Sequence, residues 1–186
     1  MREYADVIIQ RSRRRSFSLS WKEEGFLLKA PLLASGRQIR DFLKKNEAWM
    51  ERRRAEEERI SAYRREMGLL TEDELKELKK RAQKLFRERV DHYAPLVGVS
   101  CGRISIRAQK TRWGSCSARG NLNFNCLLLM APLPALDSVV VHELCHLKEM
   151  NHSSRFYAEV LRVMPEYRKY QKWLKTEGRK LLARLP

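Results

Sequence analysis

Three of the four histidines of this 186-residue chain lie in one short stretch, VVVHELCHLKEMNHSSRF, at residues 139–156. Within it, His142 and His146 are four residues apart, and Glu143 directly follows the first of them. On a helix this spacing places both imidazoles on one face, close enough to share a metal ion. Glu143 is rotated by about 100° around the same helix, where it can reach a metal-bound water without being a ligand. The pattern therefore predicts a catalytic metal site with Glu143 as its general base.

Zinc is the expected cofactor, because neutral imidazole nitrogen suits Zn²⁺ and a catalytic zinc site keeps three protein ligands and one open position. His152 is the predicted third ligand, since it follows a segment after His146 that can end the helix and turn the chain back. Glu159 is the alternative, in the manner of proteases whose third ligand is a downstream glutamate. The histidine spacing equals that of the metzincin proteases, although Glu149 stands where those proteins have a turn glycine.

Two other interpretations of the histidines remain open. Val139, Val140 and Leu144 would pack a helix against a core, and histidines at its margin could simply be hydrogen-bonded there. A closed structural metal site would instead need a fourth ligand such as Cys145. Cys145 falls on a different side of the helix from the histidine pair, so we expect a packed thiol at that position.

A basic loop precedes the histidine stretch, with the sequence KTRWGSC at residues 110–116. Arg112 could stabilise an oxyanion beside the metal, or it could hold a polyphosphate together with Lys110 and Arg119. Trp113 is expected to pack beneath the loop or to contact substrate. Arg112 is thus a candidate catalytic residue and Trp113 a candidate substrate-binding residue.

Alternating apolar and polar residues flank this loop and predict two short strands, at 103–107 and 121–125. In peptidases with this histidine motif, a strand at the rim of the cleft commonly holds an extended substrate by backbone pairing. Residues 121–125 are the candidate for such an edge strand, with Asn121 and Asn123 as substrate-binding residues. An ordinary core hairpin is the alternative.

Two runs of the sequence carry a family resemblance: QKTRWGSCSARGNLNFN at residues 109–125, and LLLMAPLPALDSVVVHELCHLKEMNHSSRFY further on. With these runs the chain resembles the YgjP-like metallopeptidase family over most of its length. The resemblance implies a zinc-dependent hydrolase with His142, His146 and His152 as ligands and Glu143 as base. It leaves the substrate open, because members are described both as peptidases and as metal-dependent nucleoside triphosphate pyrophosphatases.

The N-terminal part predicts a different kind of element. Alternation at residues 6–10, 16–21 and 26–29 indicates a small antiparallel sheet, with a turn at residues 22–25. Ser35 is a suitable N-cap for a long helix, which becomes almost wholly charged at residues 51–59.

Gly68 is expected to end that helix, and Thr71 with Glu74 forms a capping box that starts the next one. We therefore predict an α+β fold in two parts. Residues 1–70 form the small sheet and the long charged helix, and residues 71–186 form a mainly helical, zincin-like metal-binding region with a short antiparallel sheet.

Composition limits the partners and the location. Lys and Arg outnumber Asp and Glu by 39 to 23, giving a net charge of +16 spread over both halves of the chain, so a nucleotide or nucleic-acid partner is plausible. The longest apolar run, at residues 126–136, contains two prolines and is too short to span a membrane, and no signal peptide is visible. The four cysteines form no C-x-x-C pair. Reduced thiols in the cytoplasm are the simplest interpretation, and the sequence does not predict an oligomeric state.

The sequence thus favours a zinc metallopeptidase acting on a peptide or protein substrate. A nucleoside triphosphate pyrophosphatase is the main alternative, although such chemistry usually uses Mg²⁺ held by clustered carboxylates, and no such cluster follows Asp91. A basic nucleic-acid-binding protein with a structural zinc is the third possibility.

Overall fold

A computed structural model of the protein describes residues 4–22 and 25–186. The chain divides into two compact units, Met1–Arg59 and Ile60–Pro186. This division, after Arg59, lies earlier in the chain than the predicted boundary after residue 70. The assignment of separate roles to residues 1–70 and 71–186 stays a prediction. The turn predicted at residues 22–25 includes Glu23 and Glu24, which lie outside the described residues.

The first unit contains a three-stranded sheet followed by helices. Its elements are β1 (Val7–Ser12), β2 (Ser18–Lys22), β3 (Gly25–Pro31), α1 (Gly36–Lys45) and the start of α2 (Glu47–Met67). The sheet is mixed, because β3 lies between the two earlier strands and pairs parallel with β1 and antiparallel with β2. Phe26, Leu28 and Ala30 alternate along β3 and are buried in the core of this unit. Ser35 caps the start of α1 as predicted and forms a capping box with Gln38, but the predicted long helix is divided at Asn46 into α1 and α2.

The second unit is mainly helical. Its elements are α3 (Glu72–Val97), β4 (Ile104–Arg107), β5 (Gly114–Cys116), β6 (Leu122–Asn125), a 3₁₀ helix (Cys126–Met130), α4 (Leu133–Cys145), α5 (Ser154–Val163) and α6 (Tyr167–Leu182). The predicted helix boundaries at Gly68 and Thr71 are confirmed. Gly68 has a φ of +69°, which favours glycine, and the side chains of Thr71 and Ser153 cap α3 and α5.

The sheet of the second unit has the order β4-β6-β5 and is also mixed. β6 pairs parallel with β4 and antiparallel with β5. The expectation that residues 121–125 form the edge strand is therefore wrong, because both sides of β6 are occupied by backbone pairing. β5, which contains Gly114, lies at an edge instead.

Helix α4 runs through the core of the second unit, in contact with α3, α6 and β5. Leu136, Val140, Val141 and Leu144 are each at most 1% exposed, and every residue from 135 to 145 except His142 is buried, so the helix is enclosed on nearly all sides. Burial on all sides fixes the position of the helix from which His142 and Glu143 project.

A buried carboxylate in α4 is held by α3. Asp137 is 5% exposed and receives two hydrogen bonds from Arg89, at 2.7 and 2.8 Å, and one from the hydroxyl of Tyr93 at 3.2 Å. Because a buried charge needs such partners, this contact ties α4 to α3 in one register.

The observed architecture confirms the α+β class. Among the described residues, no helix is both long and apolar enough to cross a membrane.

Candidate metal centre

The three histidines singled out in the sequence lie side by side. Nε2 of His142 is 3.2 Å from Nε2 of His146 and 3.1 Å from Nε2 of His152. Within the described residues, these three side chains are the group whose potential ligand atoms all lie within 4.8 Å of one another. The helix brings the first two together by their four-residue spacing, and the loop between α4 and α5 returns His152 to the same point.

The donor set fits zinc, because three imidazole nitrogens converge and three is the number of protein ligands in a catalytic zinc site. Burial, together with the neighbouring His146 and His152, lowers the pKa of His142 from 6.5 to about 3. Burial also lowers the pKa of His146, whose Nδ1 lies 3.1 Å from the backbone oxygen of Glu149. Both rings are thus neutral at physiological pH, which is the form that binds a metal.

Glu143 lies next to the histidine cluster and is 5% exposed. Burial raises the pKa of its carboxyl to about 8, while the positive charge of Arg112 acts in the opposite direction. Its carboxylate helps to line a cavity of about 220 Å³. The cavity is lined by Trp113, Gly114, Val139, His142, Glu143, Gln171, Leu174 and Lys175.

Gly114 makes room for the carboxylate of Glu143. A Cβ atom on Gly114 would lie 2.6 Å from Oε1 and 2.8 Å from Cγ of Glu143, closer than real Cβ contacts allow. The glycine of the RWGS motif is therefore required by the side chain that packs against it from α4. This contact joins the two most specific motifs of the sequence in one site.

Comparison with models of known protein families identifies the family of this chain. The model of the YgjP-like metallopeptidase domain matches residues 70–177. The chain belongs to this family.

Two solved structures resemble part of this YgjP-like protein. One is the metallopeptidase zymogen abylysin of Pyrococcus abyssi, with 24% identity and a TM-score of 0.46, over 50% of this chain and 93% of that one. The other is the metallopeptidase zymogen jannalysin of Methanocaldococcus jannaschii, with 19% identity and a TM-score of 0.45, over 50% of this chain and 96% of that one. The comparison with curated proteins found no similar sequence.

Two further residues of the YgjP-like domain support the histidines from α6. The hydroxyl of Tyr167 lies 2.6 Å from Nδ1 of His142, and Gln171 donates a hydrogen bond to the same hydroxyl at 2.5 Å. With Nε2 of His142 bound to a metal, Nδ1 would carry the hydrogen and donate to Tyr167. Sequence reasoning missed both residues, since Tyr167 lies 25 positions after His142 and no spacing rule connects them.

Asn125 holds the loop that carries Arg112 and Trp113. It is 1% exposed, and its side chain donates to the backbone oxygens of Gln109, at 2.7 Å, and Arg112, at 3.0 Å. The indole of Trp113 would lie 2.9 Å from a Cβ on Gly178, so it packs closely against α6 while also lining the cavity. Buried hydrogen bonds thus fix the loop beside Glu143.

The other predicted site residues lie in different surroundings. Asn121 accepts a hydrogen bond from the backbone of Arg103 at 2.9 Å, and Asn123 donates to Ser115 at 3.3 Å. Both contacts are internal to the sheet region, and the role of the two asparagines in substrate binding stays a prediction.

Glu159, the alternative third ligand, is bound to cations instead. Its carboxylate lies 2.7 Å from Lys148 Nζ and 2.7 Å from Arg162 Nη2. It is not part of the group formed by the three histidines. The geometry therefore favours His152 over Glu159.

Proposed function

We propose that this member of the YgjP-like metallopeptidase family is a zinc-dependent peptidase. In this proposal His142, His146 and His152 hold the metal, and Glu143 is the general base. The observation that carries it is the convergence of three imidazole Nε2 atoms beside a buried carboxylate that lines a cavity. When bound by such a donor set, zinc polarises a carbonyl group and lowers the pKa of water.

Glu143 would act as general base and then as general acid. As a carboxylate it accepts a proton from the attacking water and, being only 5% exposed, keeps that proton away from bulk solvent. It then delivers the proton to the nitrogen of the leaving amine.

The loop and strand beside Glu143 would bind and orient the peptide. β5 lies at a sheet edge next to α4, so an extended substrate could pair with its free backbone groups. Arg112 lies close enough for its charge to act on Glu143, and the same charge would stabilise the carbonyl oxygen of the scissile bond as it becomes negative. Trp113, Val139 and Leu174 give the cavity an apolar wall that excludes water from the bond.

Metal content and cleavage together test the proposal. The parent protein should hold zinc near one equivalent, and His152→Ala should hold far less. Glu143→Gln should retain zinc and lose cleavage of an unfolded protein substrate, with Glu166→Gln, at the exposed position just before α6, as the control. Retained cleavage in Glu143→Gln would remove Glu143 from the mechanism, and unchanged zinc in His152→Ala would remove His152 from the site.

A nucleoside triphosphate pyrophosphatase is a second candidate, favoured by one observation. Arg168, Lys172 and Lys175 line a cavity of about 390 Å³ beside the metal site, and such cations could hold a polyphosphate. If this function is correct, the purified protein should release pyrophosphate from nucleoside triphosphates, and Arg112→Ala should weaken the activity. No release with any common nucleotide, in Mg²⁺, Mn²⁺ or Zn²⁺, would exclude it.

A further inference from the structure

Helix α6 carries a row of three basic side chains beside the candidate metal centre. Arg168, Lys172 and Lys175, here called the α6 cationic row, line a cavity of about 390 Å³ together with Tyr157, Tyr167 and Gln171. Gln171 and Lys175 also line the cavity that contains Glu143. The two cavities therefore adjoin, and a substrate that reaches Glu143 can extend along the row.

The charges of the row are uncompensated. Among the described residues, none of its three side chains has a carboxylate partner, whereas two neighbouring cations of α6 are paired: Lys169 lies 3.1 Å from Glu166, and Lys180 lies 2.5 Å from Glu177. Of the described residues that line the two cavities, Glu143 alone is acidic. The path that leads from the metal centre is therefore positively charged.

The spacing of the row matches an extended peptide. Residues at positions i, i+4 and i+7 lie on one face of a helix. With a rise of about 1.5 Å per residue, the row from Arg168 to Lys175 spans roughly 10 Å. An extended peptide advances about 3.3 Å per residue, so the row runs beside about three consecutive residues of a bound chain.

We propose that the α6 cationic row selects peptides with acidic side chains on one side of the scissile bond. This inference rests on the peptidase function proposed above and names its substrate class. The apolar wall formed by Trp113, Val139 and Leu174 would take an uncharged side chain near the bond, and the row would pair with Asp or Glu in the residues that follow along α6. Each such pair is exposed and individually weak, so the selection depends on all three cations and falls as salt concentration rises.

Matched peptides test the proposal. Peptides of one length would carry an apolar residue at the bond and three Asp, three Asn or three Lys on either side of it. The zinc-loaded full chain should cleave the best Asp peptide with a kcat/KM about tenfold above its Asn counterpart. The double variant with Arg168→Glu and Lys172→Glu should reverse this preference and cleave the Lys peptide faster than the Asp peptide. Lys169→Glu makes one such charge reversal outside the row and should leave the preference unchanged.

Three results would overturn the inference: equal cleavage of Asp and Asn peptides, an unchanged preference in the double variant, or an equal effect of Lys169→Glu. A direct measurement of peptide binding distinguishes a failure of this inference from a failure of the proposed peptidase function. If no peptide is cleaved, the peptidase proposal fails. Peptide binding to the Glu143→Gln protein, measured by fluorescence anisotropy, then tests the preference of the α6 cationic row for acidic peptides independently of cleavage. The inference is supported if the Asp peptide binds more tightly than the others and this difference is lost in the double variant. Equal binding of all peptides, or binding of a nucleoside triphosphate without binding of the Asp peptide, overturns the inference.

Discussion

The hydroxyl of Tyr167 lies 2.6 Å from Nδ1 of His142, and this contact determines which ring nitrogen of His142 faces the other two histidines. Tyr167 is 2% exposed, so no bulk water competes for the contact. Groups that hold a ligating histidine in this way fix its tautomer and its ring orientation. The metal centre therefore depends on α6 as well as on α4.

Replacement of Tyr167 by Phe should weaken zinc binding. The variant keeps the buried ring but removes the acceptor for Nδ1–H of His142, so zinc affinity should fall by about 10- to 100-fold. Competition with a chromophoric chelator measures this affinity. Tyr157→Phe is the matched control, because Tyr157 is exposed and its ring centroid lies 6.2 Å from that of His152. Equal zinc affinity in both variants would show that Tyr167 serves packing alone.

Gly114→Ala should uncouple metal binding from cleavage. The new methyl group would lie 2.6 Å from Oε1 and 2.8 Å from Cγ of Glu143, so this side chain must shift from its position. We expect zinc content to be unchanged and peptide cleavage to fall on the order of 100-fold, because the base loses its position. Gly36→Ala is the control, since its nearest contact would be an ordinary 3.5 Å to Arg40. Full activity in Gly114→Ala would contradict the assigned contact.

Glu159 should contribute to stability in a pH-dependent way. Hydrogen bonds from Arg162 and then Lys148 lower its pKa from 4.5 to about 2. Because the folded-state pKa lies below the unfolded value, the ion pairs add stability above about pH 4.5, and the contribution is lost as the pH falls towards 2. Glu159→Gln should thus lower the free energy of unfolding by about 1 kcal/mol at pH 7 and by progressively less in acid.

The same variant tests the third metal ligand. Glu159→Gln should leave zinc content unchanged, because His152 is the proposed ligand. A sharp loss of zinc in Glu159→Gln, measured by elemental analysis, would instead assign the third position to Glu159.

Arg89→Met should strongly destabilise the second unit. It would leave the carboxylate of Asp137, which is 5% exposed, without its two hydrogen bonds from Arg89. We expect the free energy of unfolding to fall by about 3 kcal/mol, as measured by urea denaturation. Arg87→Met, at an exposed position of the same helix, should change it little. If both variants unfold at the same urea concentration, the buried ion pair is not what ties α4 to α3.

Local patterns determined much of this protein. The capping residues Ser35, Thr71 and Ser153 set helix starts, because a cap needs only its own backbone and the next few residues. The four-residue spacing of His142 and His146 placed both rings on one face for the same reason. The α+β class followed from alternation in short segments and longer periodicity elsewhere.

Tertiary structure decided what lies around the three histidines. Alternation identified the strand at β6 but carried no information about its neighbours, so its central position became visible only when β4 and β5 paired with it. Tyr167 reaches His142 from another helix, and Gly114 is needed because Glu143 occupies the space of its missing side chain. Such contacts join residues far apart in the chain, and they depend on how packed elements meet, which no local spacing specifies.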